Sequence, residues 1–215
     1  MQDHAQQGNH LNSKCQNGYL EIILGSMFSG KTSKLIDIYS KYSICDIPTL
    51  VINYSEDTRY TADRTRMVSH DGKTINCTHC IKLDDIVQNH QSFLSPEKKG
   101  AILINEGQFF PDLYSVVNDF VHLYNKHVYV CGLDGDFKRE KFGQILDLIP
   151  LCDTVYKQTA LCPKCKNGTA AIFSHKHTHT VQTDTSTQKE IGAKDLYMPL
   201  CRSCYVQSTL LLNTS

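Results

Sequence analysis

Eight consecutive residues, Gly25-Ser26-Met27-Phe28-Ser29-Gly30-Lys31-Thr32, carry the residue types that hold phosphate. They fit the pattern G-x-x-x-x-G-K-[ST] without mismatch, and each fixed position has a physical task. Glycines at 25 and 30 let the backbone curl so that several N–H groups point inward. A helix starting there offers its unpaired amides and positive dipole end to an anion. Lys31 would bridge terminal phosphates, and the Thr32 hydroxyl would hold Mg²⁺. A second chemistry is written in Cys162-Pro163-Lys164-Cys165 and Cys201-Arg202-Ser203-Cys204, two C-x-x-C turns with 35 residues between them. Two such turns close a tetrahedron of thiolates around Zn²⁺, leaving no position for water, so the metal would be structural. The surrounding sequence offers little core, and most of the stability of that region would come from the metal.

A third C-x-x-C, Cys77-Thr78-His79-Cys80, lies in a strand-like alternation without a partner pair nearby. A strand offers no knuckle turn for a shared cation, and the motif lacks the helix start that a redox pair needs. His175, His177 and His179 alternate between the two outer knuckles and read as a solvated segment.

The elements that must position these groups follow from periodicity. Tyr19 to Leu24 reads as a buried strand, and Thr32 to Ile44 as a helix with Leu35, Ile38, Tyr39 and Tyr42 on one side. Strand, loop, helix is the context that the phosphate pattern requires. Thr49 to Tyr54 is a second strand, whose polar exit Ser55-Glu56-Asp57-Thr58-Arg59-Tyr60 would line a ligand crevice at a strand's carboxyl end. Ile75, Cys77, His79 and Ile81 predict one strand, and Leu83, Ile86, Val87, His90 and Leu94 predict one helix. Ala101 to Ile104 is a buried strand that runs into Asn105-Glu106-Gly107-Gln108-Phe109-Phe110. Pro111-Asp112 opens a clean amphipathic helix through Tyr124, and His127 to Cys131 is a further strand ending in Gly132 to Phe137. Alternating strands and helices predict an α/β fold, a parallel phosphate-loop sheet of RecA-like type with helices on both faces.

Near Leu151 the texture changes. Thr154 to Leu161 reads as one more strand, and from Cys162 onward no helical period is visible. The predicted organisation is a mobile lead-in over 1–17, a phosphate-loop domain over 18–151, and a zinc-binding lobe over 152–215.

Composition sets limits on partners. Lys plus Arg and Asp plus Glu balance at 22 each, so no global basic field points to nucleic acid or an anionic membrane. No apolar run approaches bilayer length, and Met1 to Lys14 lacks a signal-peptide core, which predicts a reducing cytoplasmic setting. Ten cysteines there suggest metal or free thiols before disulfides.

The phosphate loop, Glu106-Gly107-Gln108-Phe109-Phe110 after a buried strand, and the C-terminal knuckle pair occur together. With Asp57-Thr58-Arg59-Tyr60, Leu133-Asp134-Gly135 and Lys138 to Phe142, the chain resembles the type II thymidine kinases, the zinc-containing tetrameric class. The likeness runs from about Gly18 to Tyr205. The resemblance implies transfer of the γ-phosphoryl group of ATP, with Mg²⁺, to the 5′-hydroxyl of thymidine or deoxyuridine. It implies that Gly25 to Thr32 cradle the donor phosphates, helped by Asp57, Thr58, Arg59, Asn105, Gly107 and Gln108. Glu106 would take the hydroxyl proton, which chemistry supports: a primary alcohol attacking phosphorus must give its proton to a nearby base. Lys31 and Arg59 would offset charge on the moving group, with Asp57 holding the geometry.

By the same resemblance the nucleoside lies among Met27, Phe109, Leu133, Phe137 and Phe142, apolar walls that suit a methylated pyrimidine. A lasso loop rooted in the zinc lobe, here Lys189-Glu190-Ile191-Gly192-Ala193 with Tyr197 beyond it, closes over the base and reads it largely through main-chain groups. Homotetrameric assembly is implied likewise. The chain departs from the family pattern at Asn105, where an aspartate usually serves the magnesium, and at Ala193, where a glycine is usual. Ser174, in a loosely matching stretch, would supply the hydroxyl of the family's threonine. Two other readings share some of these motifs: another phosphate-loop NTPase in which Glu106 activates water, and a zinc-ribbon nucleic-acid module with a degenerate nucleotide site.

Overall fold

A computed structural model describes residues 17–57, 65–69, 72–176 and 196–212. The lead-in expected over 1–17 falls outside them except for its last residue. In chain order the elements are β1 (Tyr19–Gly25), α1 (Lys31–Ile44), β2 (Thr49–Tyr54), β3 (Arg66–Val68), β4 (Thr74–Asn76), β5 (Thr78–Cys80), α2 (Asp84–Asn89) and α3 (Gln91–Leu94). Then come β6 (Ala101–Ile104), a 3₁₀ turn at Gly107–Phe109, α4 (Leu113–His122), β7 (His127–Gly132) and a 3₁₀ segment at Ile145–Leu151. The chain continues through β8 (Thr154–Gln158), β9 (Ala160–Leu161), β10 (Ala170–Ala171), β11 (Phe173–Lys176), β12 (Tyr197–Leu200) and α5 (Arg202–Leu212).

Six strands form one sheet in the order β5-β2-β6-β7-β1-β8, and every pairing in it is parallel. Parallel strands need crossovers that cover both faces, and the inner strands are apolar on both sides for that reason. Leu20, Ile22, Ile102, Ile104, Val128 and Val130 pack with α4 and the 145–151 segment on one face. Ile23, Leu103, Tyr129 and Cys131 pack against Leu35, Ile36 and Ile38 of α1 on the other. The predicted α/β sheet with helices on both faces is therefore present.

Several local expectations are corrected. The strand predicted from Ile75 to Ile81 is two: β4 pairs antiparallel with β3, and after Cys77 the chain joins β2 in parallel as β5. The helix predicted from Leu83 to Leu94 breaks at His90 into α2 and α3. Asp112 accounts for the first of these helices: its carboxylate accepts from the backbone N–H of Leu83 at 3.1 Å and of Asp84 at 2.9 Å. It thereby satisfies donors at the start of α2 that no helix interior can. The strand predicted over Thr154 to Leu161 also divides, because β8 completes the large sheet while β9 turns to pair with β10. The sheet thus reaches past residue 151.

Beyond Cys162, where no helical period is visible, β11 and β12 pair antiparallel, and an eleven-residue helix, α5, follows Cys201. The signal for α5 was present but faint: among its residues of described burial, Tyr205 and Ser208 are buried, and Cys201 just before the helix is buried four positions ahead of Tyr205. Among the described residues no helix is long and apolar enough to cross a membrane.

Candidate active site

β1 delivers the phosphate loop at the carboxyl end of the sheet, and α1 begins inside it. Gly25 (φ 152°), Phe28 (φ 63°) and Gly30 (φ 85°) adopt positive φ, the alternation that turns successive N–H groups to one side. Gly25 is also close-packed, since a Cβ there would lie 2.4 Å from the Gln158 carbonyl oxygen. Lys31 is buried and its Nζ donates to the Ser26 carbonyl at 2.9 Å, so the lysine folds over its own loop. Ser29 Oγ is buried without a hydrogen-bond partner among the described residues, a polar atom that a phosphate oxygen in this loop would satisfy. Met27 N donates to Ser174 Oγ at 3.0 Å, and Ser26 Oγ donates to the Ala171 carbonyl at 3.2 Å. The small lobe therefore holds the phosphate loop from above.

Thr32, the first-turn residue of α1, reaches across the sheet. Its Oγ1 donates to Asn105 Oδ1 at 3.3 Å. Asn105 follows β6, and its Nδ2 donates to Asn53 Oδ1 at 2.8 Å while Cys131 Sγ donates to its Oδ1 at 3.0 Å. The next residue, Glu106, is buried in a left-handed conformation (φ 55°, ψ 43°), an uncommon state for a side chain larger than asparagine. Gln108 Nε2 donates to Glu106 Oε2 at 2.6 Å, and Gln108 Oε1 accepts from Leu133 N at 3.0 Å. Gln108, expected at the nucleotide, is thus a buried strut between the carboxylate and the loop after β7. Gly107 packs against Val130, and Asp57 is buried in the turn after β2, its N–H donating to the Tyr54 carbonyl at 3.0 Å. Thr58 and Arg59 lie outside the described residues.

The strut gives Gly132 a reason. A Cβ at Gly132 would stand 2.3 Å from Gln108 Oε1 and 2.8 Å from Ile145 Cδ1. Gly132→Ala is expected to destabilise the protein by about 1–3 kcal/mol through overpacking and to lower activity more than its stability loss explains. Thermal unfolding beside turnover checks this; an unchanged kcat would show that the Gln108 strut does not hold Glu106.

The side chains expected around the nucleoside lie near one another. Met27, Leu133, Phe142 and Tyr197 form one buried apolar cluster with Phe109 and Phe137 packed against it. These six come from four separate segments of chain. Phe109 and Phe142 meet edge to face at 5.3 Å between centroids. Ser174 is buried, and its Oγ accepts from the backbone N–H of Met27, a member of this cluster. Lys189, Glu190, Ile191, Gly192 and Ala193 lie outside the described residues, as do His177 and His179.

The four outer-knuckle cysteines converge. The sulfurs of Cys162, Cys165, Cys201 and Cys204 lie within 4.8 Å of one another. Cys165 Sγ is 3.5 Å from Cys201 Sγ and 3.4 Å from Cys204 Sγ. Those separations exceed a disulfide bond, about 2.05 Å, and approach the roughly 3.8 Å edge of a tetrahedron with Zn–S near 2.3 Å. Burial pushes the Cys162 thiol up, but backbone N–H groups of Cys201, Cys165 and Lys164 outweigh it and bring it to about 6. Cys204 is pushed up to about 12 by its hydrogen bond with Cys165 and by desolvation. The bare quartet favours one thiolate and resists another, a charge problem that a divalent cation solves. The donor set fits structural Zn²⁺. At the third C-x-x-C, burial and the nearby Asp85 and Asp112 push Cys80 up to about 12.

Sequence reading passed over the residues that dock the small lobe. Tyr205 Oη donates to the Phe137 carbonyl at 2.6 Å, and the Arg139 guanidinium sits over the Tyr205 ring at 4.8 Å. The faint period of α5 was the only available signal for Tyr205. Asn53 and Cys131 gave none, since an asparagine and a cysteine in buried strands read as ordinary core.

Residues 18–205 match the family described as thymidine kinase. A thymidine kinase of variola virus (isolate Human/India/Ind3/1967) is 38% identical over 192 residues, covering 89% of this chain and 98% of its own length. One from vaccinia virus (strain Western Reserve) is 36% identical over 191 residues, with 89% and 98% covered. Thymidine kinase 1 of Dictyostelium discoideum is 35% identical over 190 residues, covering 87% of this chain and 78% of its own length. The matched span takes in the phosphate loop, the Glu106 turn and all four clustered cysteines, and the chain belongs to the thymidine kinase family.

Proposed function

We propose that this protein is a thymidine kinase, transferring the γ-phosphoryl group of ATP to the 5′-hydroxyl of thymidine or deoxyuridine. The observation that carries the reading is the Thr32–Asn105 hydrogen bond. It ties the phosphate loop to the strand end that presents a buried carboxylate, with an apolar cluster beside both.

In this mechanism ATP displaces the Ser26 carbonyl from Lys31 Nζ, and the lysine then bridges phosphate oxygens. Thr32, with Asn105 behind it, would hold Mg²⁺, which neutralises the donor phosphates when bound. The nucleoside lies among Met27, Phe109, Leu133, Phe137 and Phe142, apolar walls that suit its methyl group, with Ser174 supplying a hydroxyl. The 5′-oxygen attacks the γ-phosphorus, the bond to the β–γ bridging oxygen breaks, and the hydroxyl proton passes to Glu106. Arg59 and Asp57 complete the charge balance, and the 189–193 lasso closes over the base. Cys162, Cys165, Cys201 and Cys204 would hold a structural Zn²⁺ and so fix the lobe whose Ala171 and Ser174 bond the phosphate loop. Homotetrameric assembly and a cytoplasmic location belong to the same proposal and rest on the family likeness.

Label transfer from radiolabelled ATP across the four deoxynucleosides and deoxyuridine tests the reading. Thymidine and deoxyuridine should take label, and the purines should not. Strong ATP hydrolysis without a nucleoside, and no labelled nucleotide, would favour a general NTPase instead.

Asn105 makes a separate prediction. An amide can bond a metal-bound water but brings no negative charge, so Asn105→Asp should lower the free Mg²⁺ needed for half-activation by about three- to tenfold. Superimposable magnesium curves for the two proteins would refute it.

A further inference from the structure

Asn105 is buried, 3% exposed, between two other buried residues that the mechanism leaves unused: Asn53 at 3% on β2 and Cys131 at 1% on β7. The strands β2, β6 and β7 are neighbours in the sheet, and Cys131 packs on the face that α1 covers. Three groups from three elements, α1, β2 and β7, therefore meet at the one amide that follows β6. Asn105 Oδ1 has two lone pairs and receives two donors, Thr32 Oγ1 at 3.3 Å and Cys131 Sγ at 3.0 Å. Its Nδ2 donates to Asn53 Oδ1 at 2.8 Å.

An amide, unlike a carboxylate, has two unlike ends of the same shape. Turned through half a revolution, Asn105 would set its oxygen against the Asn53 oxygen and its NH₂ against Thr32 and Cys131. The NH₂ would then donate to Thr32 Oγ1 and take up a lone pair that otherwise faces the cation. In the observed orientation the Thr32 proton points at Asn105, and the hydroxyl oxygen keeps its lone pairs for metal. A thiol that donates to the oxygen end and an amide oxygen that accepts from the nitrogen end are what distinguish the two orientations.

We infer that Cys131 and Asn53 are positioning residues that lock the Asn105 amide with its oxygen toward Thr32, letting a neutral side chain serve the magnesium end of the reaction. The inference rests on the function proposed above. A carboxylate at 105 would present oxygen in either orientation, so the lock matters only because residue 105 is an asparagine.

That condition supplies the test. Free Mg²⁺ for half-activation is measured at fixed ATP and saturating thymidine for the wild type, Cys131→Ala, Cys131→Ser, Asn105→Asp and the Cys131→Ala/Asn105→Asp double variant. Losing the thiol donor should raise the midpoint by about fivefold, the size expected when one hydrogen bond stops selecting a conformer. The KM for thymidine should not move with it. Cys131→Ser keeps a donor and should restore the wild-type midpoint. In the Asn105→Asp background, Cys131→Ala should change the midpoint by less than about twofold, a non-additivity that simple packing does not produce.

The same factor in both backgrounds, or no shift in either, overturns the inference. Should Cys131→Ala fail to fold, Asn53→Ala releases the amide from its other end, and an unchanged midpoint there overturns it equally. The Mg²⁺ dependence of ATP binding by equilibrium dialysis reads the same lock without turnover. A wild type that makes no thymidine monophosphate would therefore sink the proposed function while leaving the lock measurable.

Discussion

Replacing Glu106 by glutamine is expected to lower kcat for thymidine phosphorylation by about 10²–10⁴, the range that general-base groups contribute. The substitution is close to isosteric and should preserve the fold, because Gln108 Nε2 donates to Glu106 Oε2 at 2.6 Å and a glutamine oxygen can accept the same bond. The left-handed backbone at 106 is already imposed by its surroundings and gains nothing from the charge. ATP and thymidine should bind with little change, since the lost group acts on the hydroxyl proton in the transition state; the deficit therefore belongs in kcat rather than KM. Single-turnover measurement beside steady state separates chemistry from product release. A variant within about tenfold of wild type would mean that some other group accepts the proton, because a positioned base is worth more than that.

Removing the zinc is expected to have the second large effect. Purified protein should carry zinc in a one-to-one ratio with the chain, and Cys162→Ser or Cys201→Ser should lose it. The small lobe has few other sources of order. Among the described residues its buried core is Ala160, Ala171, Leu200 and Tyr205 together with the cysteines themselves, with Phe173 and Met198 partly buried against it. Structural zinc contributes on the order of 10 kcal/mol in small metal-dependent domains, and losing even a third of that would lower the midpoint of a chain this size by about 10 °C.

The loss should not stay local. Ser174 and Ala171 hold the phosphate loop through Met27 N and Ser26 Oγ, and Tyr205 holds the loop carrying Phe137. Chelation should therefore abolish turnover and weaken ATP binding, not only unfold the lobe. Cys77→Ser and Cys80→Ser serve as controls that leave zinc content unchanged. Metal analysis with thermal unfolding decides the matter, and full activity in zinc-free protein would overturn it.

Local chemistry was legible in the sequence, and long-range partnership was not. The phosphate loop is eight residues whose φ angles and N–H directions are fixed by glycine positions and by the helix that starts among them, so its pattern is self-contained. The knuckles are legible for a similar reason, since two cysteines three residues apart on a turn bring their own sulfurs together. Strands β1, β6 and β7 were legible because burial on both faces forces an unbroken apolar run.

Tertiary structure alone decided which segments meet. It broke the 75–81 alternation at Cys77 because β4 and β5 pair with different strands. It took β8 into the large sheet although the composition changes before it, and it folded the stretch after Cys201 into α5 with little more than the buried Tyr205 and Ser208 to mark the helix among its residues of described burial. Gln108 carried no sign of its role, since a strut from Glu106 to Leu133 exists only once β6 and β7 lie side by side. The same holds for Asn53 and Cys131: hydrogen bonds between neighbouring strands depend on register and on which face each side chain takes, and neither is written in the spacing of any one segment.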